Sequence, residues 1–269
     1  MTRTQAPFGR RELTVGARRE LGAYVILTAP DPAGPAPQAG QFYMLATAQA
    51  WGGGSGERPY LPRAFSVARA DDAGLHFMLE AVGPGTERLC DLAPGEGLLV
   101  TGPLGQGFRT PDDDRRALLC GGGVGTAPLA IWQDELLNSV PTHPPTPALL
   151  GFRDAAHAPG AQLLRNVRIA TDDGSHGHHG LVTDLLAAEL DAADHATVYA
   201  CGPPPMLEAV RRMCLPRGVP SRLALESGMA CGFGACFGCV VPLAGGGYAR
   251  LCVDGPVLDG EAIAEVPAH

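Results

Sequence analysis

Residues Cys231 to Cys252 read CGFGACFGCVVPLAGGGYARLC, and the spacing of their thiols decides how the chain divides. Cys231, Cys236 and Cys239 form a C-x4-C-x2-C run, and Cys252 follows after twelve further residues. This is the thiolate spacing of a plant-type 2Fe-2S site. Four soft sulfur ligands suit iron and sulfide. Gly232, Gly234 and Gly238 lie between them, as expected of a loop that must reach unusual backbone angles and bring amide N–H groups close to sulfur. The expectation is a glycine-rich loop, not a helix, around the metal. The same four cysteines also admit other readings: buried small apolar side chains, two disulfides, or a zinc site. Zinc sites typically join two short-spaced cysteine couples, whereas here a run of three is completed by a distant fourth.

Working outward, the 269 residues are 45% hydrophobic and 18% charged, enough to bury a core in two or three small domains. The net charge of −8 and the lack of a Lys/Arg cluster argue against a nucleic-acid partner. No window of about 18 apolar residues is present, and the N-terminal MTRTQAPFGRREL lacks the apolar stretch of a signal peptide, so a cytoplasmic location with no membrane contact is expected. Cys90, Cys120, Cys201 and Cys214 are scattered through strand or helix contexts and read as buried free thiols.

Before the nucleotide-like region the chain shows short apolar runs: Leu13 and Val15, Tyr24 to Leu27, Phe42 to Ala46, Phe65 to Ala68, and Leu75 to Val82. Pro/Gly-rich loops at 29–40 and 51–62 separate them, a rhythm that predicts an antiparallel barrel ending near Gly107. Within it, Arg63-Ala64-Phe65-Ser66 places Arg63 and Phe65 on one face of a strand and Ser66 on the other. A guanidinium matches a diphosphate, and an aromatic ring with a nearby hydroxyl suits a flavin, although ordinary surface-and-core alternation produces the same pattern. Gly83-Pro84-Gly85-Thr86 ends a strand, with Thr86 as the expected N-cap of a short helix over 87–92. A plain strand-to-helix turn reads identically.

Past a charged connector at 111–116, the strand 117–120 runs into Gly121-Gly122-Gly123-Val124-Gly125-Thr126-Ala127-Pro128. Strand, glycine turn and helix in that order present amide N–H groups to a diphosphate, and Pro128 suits the first helical turn. The spacing differs from G-x-G-x-x-G, so this is another kind of nucleotide turn. The helix is expected to reach Val140, followed by a Pro-rich loop over 141–147. Strands at 148–152, 167–171 and 197–200 then alternate with helices at 181–190 and 206–213, which predicts a parallel sheet covered on both faces. Cys201-Gly202-Pro203-Pro204-Pro205-Met206 follows a strand's C-terminal end, where open α/β sheets bind ligands; a rigid turn without ligand contact fits equally. Asp172 to His179 (DDGSHGHH) reads as a solvated loop, not a metal site. Beyond strand 148–152, Arg153 would welcome a 2′-phosphate and Asp154 would repel one, which favours NAD over NADP.

Taken together, RAFS, GPGT, GGGVGTAP, CGPPPM and the cysteine run stand in one order that resembles the ferredoxin–NADP reductase superfamily. Within it, the chain is most similar to the electron-transfer subunits of type B dihydroorotate dehydrogenases. The likeness extends to TDDGSHGHHGLVTDLL (171–186), Glu226 to Cys239 and LCVDGPVLDGE (251–261), nearly the whole chain. It departs at Ala64, Phe65 and Val67, where RPxSI or RxYS is frequent, and at Val253 and Leu258, where CxDGPVF is common.

The resemblance implies a multidomain chain: an antiparallel β-barrel flavin domain (1–110), an α/β parallel-sheet nucleotide domain (111–215) and a small C-terminal 2Fe-2S domain (216–269). It implies that Arg63, Phe65 and Ser66 contact FAD, with Gly83, Gly85 and Thr86 near its diphosphate. Gly121, Gly122, Gly123, Gly125 and Thr126 would line the NAD site with Cys201, Gly202 and Pro203, and Cys231, Cys236, Cys239 and Cys252 would hold the cluster. Its partner would be an FMN-containing catalytic subunit that oxidises dihydroorotate, assembled as a heterotetramer. A nicotinamide carries electrons as a hydride pair and a cluster takes them singly; FAD joins the two, and the chain supplies position and tuning without a catalytic acid or base. Two other expectations stand beside this one: an NAD(P)H-dependent reductase subunit for ferredoxin, hydrogenase or an oxygenase, and a zinc-stabilised nucleotide module without redox activity.

Overall fold

The computed structural model describes residues 9–52, 59–111, 114–139, 146–192 and 195–267. The centre of the glycine-rich insert before Arg63, part of the charged connector, the expected helix end at Val140, most of the Pro-rich loop and the first residues of the chain lie outside them.

Seven strands form the first sheet: β1 (Arg11–Thr14), β2 (Ala17–Leu21), β3 (Tyr24–Ala29), β4 (Phe42–Thr47), β5 (Arg63–Asp71), β6 (Gly74–Glu80) and β7 (Gly97–Leu104). Their order is β1-β7-β4-β5-β6-β3-β2, with every pairing antiparallel. Val15 and Gly16 draw the two edges together, donating from their N–H groups to Glu96 (2.9 Å) and Thr28 (2.8 Å) carbonyls. β1 and β2 end the strand order without pairing to each other, and this turn is what joins them. Leu27, Tyr43, Leu45, Phe77 and Leu79 are fully buried inside, each worth about 1.5–3 kcal/mol of burial for the aliphatic and Phe side chains. β2 (ARREL) was not anticipated: it is a largely exposed edge strand with one buried residue, so its polar sequence gives no apolar run.

Helix α1 (Pro84–Cys90) joins β6 to β7 and starts earlier than the sequence suggested. Gly83 is the N-cap and Pro84 occupies the first turn, where its missing N–H is harmless. Thr86 is therefore not the N-cap. Its hydroxyl accepts from the N–H groups of Val82 (2.8 Å) and Gly83 (3.1 Å), which closes the turn from inside the helix.

The second sheet takes β8 (Arg116–Gly122), β9 (Ala148–Phe152), β10 (Val167–Thr171), β11 (His178–His179), β12 (Ala196–Cys201), β13 (Ser221–Ala224) and, from the tail, β16 (Val257–Asp259). Two short strands, β14 (Val240–Pro242) and β15 (Tyr248–Arg250), form a separate hairpin between β13 and β16. The order is β11-β10-β9-β8-β12-β13-β16, parallel except for the antiparallel β13–β16 pair. Alternation along the strands feeds two cores: Leu119, Leu150 and Tyr199 pack with the barrel, while Leu118, Leu149 and Val198 pack on the far side. Helix α2 (Thr126–Ser139) lies on the barrel side, against β5. Helices α3 (Val182–Ala192) and α4 (Pro204–Cys214) cover the opposite face. The sheet thus continues past residue 216, because Ser221–Ala224 and Val257–Asp259 belong to it.

Phe108, just past the barrel, is packed against Trp132 of α2 and Tyr199 of β12, with ring centroids 5.6 Å away in each case. The Tyr199 hydroxyl donates to the Arg109 carbonyl at 2.8 Å. Aromatic packing of this area fixes the connector, and through it the angle between the two sheets. No described helix is long and apolar enough to cross a membrane.

Candidate redox site

Two cavities open where the barrel, the second sheet and the tail meet. The first, about 740 Å3, runs along residues 61–66, Val82, Thr86, Cys201 and 225–230. Arg63 to Ser66 pair only with β4, and β6 takes up the strand from Val67 onward. One edge of the strand is therefore free beside the cavity, and side chains from both faces reach it. Ser66, expected on the face opposite Phe65, lines the same cavity for this reason. The Arg63 guanidinium is held by the Leu61 carbonyl at 2.6 Å and lies 5.8 Å from the Trp51 ring centre. It also presses on Gly85, whose added β-carbon would meet Arg63 Nε at 2.8 Å. The tetrapeptide and the Gly83 to Thr86 turn, distant in sequence, thus form one basic corner.

The second cavity, about 510 Å3, is lined by Gly122, Gly123 and Val124, by Pro203 and Met206, and by the segment that follows β9. The two glycine turns behind it touch. A β-carbon on Gly202 would meet the Gly122 nitrogen at 2.9 Å, and one on Gly125 would overlap the Cys201 carbonyl group. Gly121 is crowded by Leu129 and Leu150 at 2.9 Å. Of the residues expected here, Gly122, Gly123 and Pro203 line the second cavity and Cys201 lines the first, while Gly125 and Gly202 let the turns approach and Gly121 leaves room for Leu129 and Leu150. Thr126 is fully buried, with its hydroxyl unpaired among the described residues.

Arg153 is turned to Glu80, with which it forms a close ion pair, and to His157 Nε2 at 2.9 Å. Asp154 does not reach the cavity: its carboxylate takes His157 Nδ1 at 2.7 Å and the N–H of Ala156 at 2.9 Å, and the His157 bond holds its pKa below the usual value. Asp172, at the end of β10, lines the cavity instead. The acidic group that the sequence placed after β9 therefore stands one strand over. His176, His178 and His179 are exposed, and His178 and His179 form the short edge strand β11.

Three residues line both cavities: Glu80, Val124 and Glu226. Desolvation by the surrounding protein pushes the Glu226 carboxyl up to about 7, although the residue is open to solvent at the cavity mouth. Sequence reading had marked Glu226 only as the start of a matching segment. An acidic residue two positions after a buried strand end was the available signal.

Beyond Ala230, which lines the first cavity, the chain enters the thiol loop. Cys239 and Cys252 are buried with sulfurs 3.2 Å apart. Cys231 and Cys236 form the second pair, Cys236 at the surface. Burial raises the Cys231 thiol, but the N–H groups of Phe233, Cys236 and Ala235, with the Cys236 side chain, bring it down to about 7. Burial and the neighbouring Cys239 push Cys252 to about 12. Among the described residues no three His, Cys, Asp or Glu side chains converge on a single-ion position. Two thiol pairs are what a two-iron cluster needs, since each iron takes two protein ligands. Gly232 and Gly234 have φ of 78° and 86°, but Gly238 does not reach the positive-φ region; Phe237 takes it instead, at 59°. Gly238 serves through its N–H, directed at Cys236 sulfur at 3.5 Å.

Residues 226–264 match the family model described as the iron-sulfur cluster binding domain of dihydroorotate dehydrogenase B. The chain is 34% identical over 226 residues to the dihydroorotate dehydrogenase B (NAD(+)) electron transfer subunit of Clostridium acetobutylicum, covering 83% of this chain and 85% of that one. It is 34% identical over 260 residues to the same subunit of Geobacillus kaustophilus, covering 93% and 96%. Among solved structures, an NADH-dependent reduced ferredoxin–NADP oxidoreductase superposes with a TM-score of 0.79 at 24% identity, over 94% of this chain and 90% of that one. The ferredoxin reductase of carbazole 1,9a-dioxygenase superposes at 0.67 with 25% identity, over 81% and 68%.

Proposed function

The chain belongs to the family of dihydroorotate dehydrogenase B electron transfer subunits, and from that premise we propose that it passes electrons between a partner FMN-containing dihydroorotate dehydrogenase and NAD, through a 2Fe-2S cluster and FAD, in pyrimidine biosynthesis. The observation that carries this reading is the contiguity of its parts. Glu80, Val124 and Glu226 form a wall common to both cavities, and the first cavity runs to Ala230, next to Cys231.

In this reading Cys231 with Cys236, and Cys239 with Cys252, would each hold one iron. Arg63, beside Gly85 and Thr86, would take the flavin diphosphate, and Phe65 and Ser66 its ring. Gly122, Gly123 and Pro203 would cradle the pyridine nucleotide, with Gly121, Gly125, Thr126, Cys201 and Gly202 shaping the turns. When bound, FAD exchanges a hydride with nicotinamide and single electrons with the cluster. Glu226, protonated below about 7, stands in the wall between the two cavities. Asp172 in the nucleotide cavity, and an Arg153 already committed to Glu80, support NAD over NADP. Residues 1–110, 111–215 and 216–269 serve as flavin, nucleotide and cluster parts, the last lending two strands to the second sheet. The cytoplasm is the assigned location, where eight free thiols stay reduced. Exposed Phe233 and Phe237 beside Cys236 mark the face on which the catalytic subunit would dock in a heterotetramer.

The test is anaerobic purification with and without the co-expressed catalytic subunit. Iron, acid-labile sulfide and FAD should be present, NADH should bleach the visible spectrum, and the pair should reduce NAD+ with dihydroorotate. A chain that binds FAD yet shows no bleaching by NADH would refute the electron path.

A further inference from the structure

Tyr24 belongs to the barrel, yet its hydroxyl reaches the nucleotide cavity. It is 1% exposed, it lines the second cavity, and its hydroxyl lies 4.0 Å from where a β-carbon on Gly123 would sit. That oxygen has no hydrogen-bond partner among the described residues. A buried hydroxyl without a partner costs about 1–3 kcal/mol, a burden that folding alone gives no reason to keep.

The surroundings hold it in place. The hairpin between β2 and β3 docks on the segment after β9, where the Ala23 N–H donates to the Ala156 carbonyl at 2.8 Å. The Tyr24 ring meets His157 edge-on, centroids 5.5 Å apart at 78°. His157 is itself fixed between Asp154 (2.7 Å) and Glu80 (3.2 Å). On the other side, a β-carbon on Gly160 would come within 3.0 Å of the ring. A side chain so clamped cannot swing away to find another partner, and its hydroxyl oxygen is held beside the glycine turn.

We propose that Tyr24 is a pyridine-nucleotide-binding residue supplied by the flavin barrel, its hydroxyl donating to the diphosphate of the nucleotide held at Gly122 and Gly123. This rests on the functional reading above. A phenol facing a dianionic diphosphate makes a charge-assisted bond, and the nucleotide thereby touches both halves of the molecule.

The test compares the full chain, loaded with flavin and iron, with its Tyr24→Phe variant, by calorimetric titration with NAD+ and with ADP-ribose in the oxidised state. Affinity for both should fall about tenfold in the variant. The nucleotide-free variant should melt at the same temperature as the parent or higher, because the hydroxyl removed had no partner. Equal NAD+ affinity overturns the proposal, as does a lowered melting temperature with unchanged affinity. Weaker NAD+ binding with ADP-ribose unaffected overturns the diphosphate assignment. If the parent chain binds no NAD+ at all, the functional reading itself fails, a result seen without the variant.

Discussion

In the thiol loop Gly232 and Gly234 stand at φ of 78° and 86°, angles that a β-carbon penalises, and the loop lies partly open to solvent. In the turn between β8 and α2, Gly121, Gly122 and Gly125 keep ordinary angles, and only Gly123 has positive φ, at 55°. There the glycines are small so that two turns can touch. One region needs glycine for backbone freedom and draws its order from what the thiols hold; the other needs it for close approach and draws its order from the buried sheet. A glycine-rich motif read from sequence does not say which of these it is.

The largest effect that would separate the two regions is loss of the cluster. Cys239→Ser should abolish iron and sulfide incorporation while calorimetric NAD+ binding persists; simultaneous loss of both would show that the regions do not stand apart. Next, Gly125→Ala forces a β-carbon against the Cys201 backbone and should cost about 3 kcal/mol in chemical denaturation, with NAD+ affinity falling and iron retained. Iron lost in step with affinity would break the comparison.

Glu226, at the joint between the regions, gives a pH signature. Its folded value of about 7 exceeds the ordinary 4.5, so the folded state holds the proton more firmly. Its stability contribution is intact below pH 4.5 and declines as pH rises to 7. Thermal melts of the nucleotide-free protein should therefore show Glu226→Gln gaining on the parent across that window and holding a constant lead above it. A constant difference at all pH values would place the carboxylate in water. The smallest effect is expected at Gly238, where φ is not positive and the nearest atom to an added β-carbon is 3.5 Å away: Gly238→Ala should shift stability by no more than about 0.5 kcal/mol. Gly234→Ala, with Val253 at 2.7 Å and positive φ, should cost clearly more in the same melts.

The deeply buried strands are legible because burial on both faces writes a nearly unbroken apolar run: β9 falls at Ala148 to Phe152, and β12 covers 197–200. Exposed or brief strands such as β2, β11 and β14 leave no such trace. α1 was placed late because Pro84 and Gly85 resemble a turn, though proline suits a helix's first residue. The thiols could be read from spacing alone. Glu226, Tyr24 and Asp172 could not, since what singles them out is a cavity assembled from distant segments.

The thiol-bearing excursion leaves the second sheet at Ala224 and rejoins it at Val257, and those two residues face each other across one antiparallel rung. Both ends of the excursion are therefore tied at one place in that sheet. The entropy of tying off such a branch rises only slowly with its length, so lengthening, shortening or replacing it asks little of the strands that anchor it. The thiol-bearing part is built like a cassette, entered and left at one rung of the second sheet.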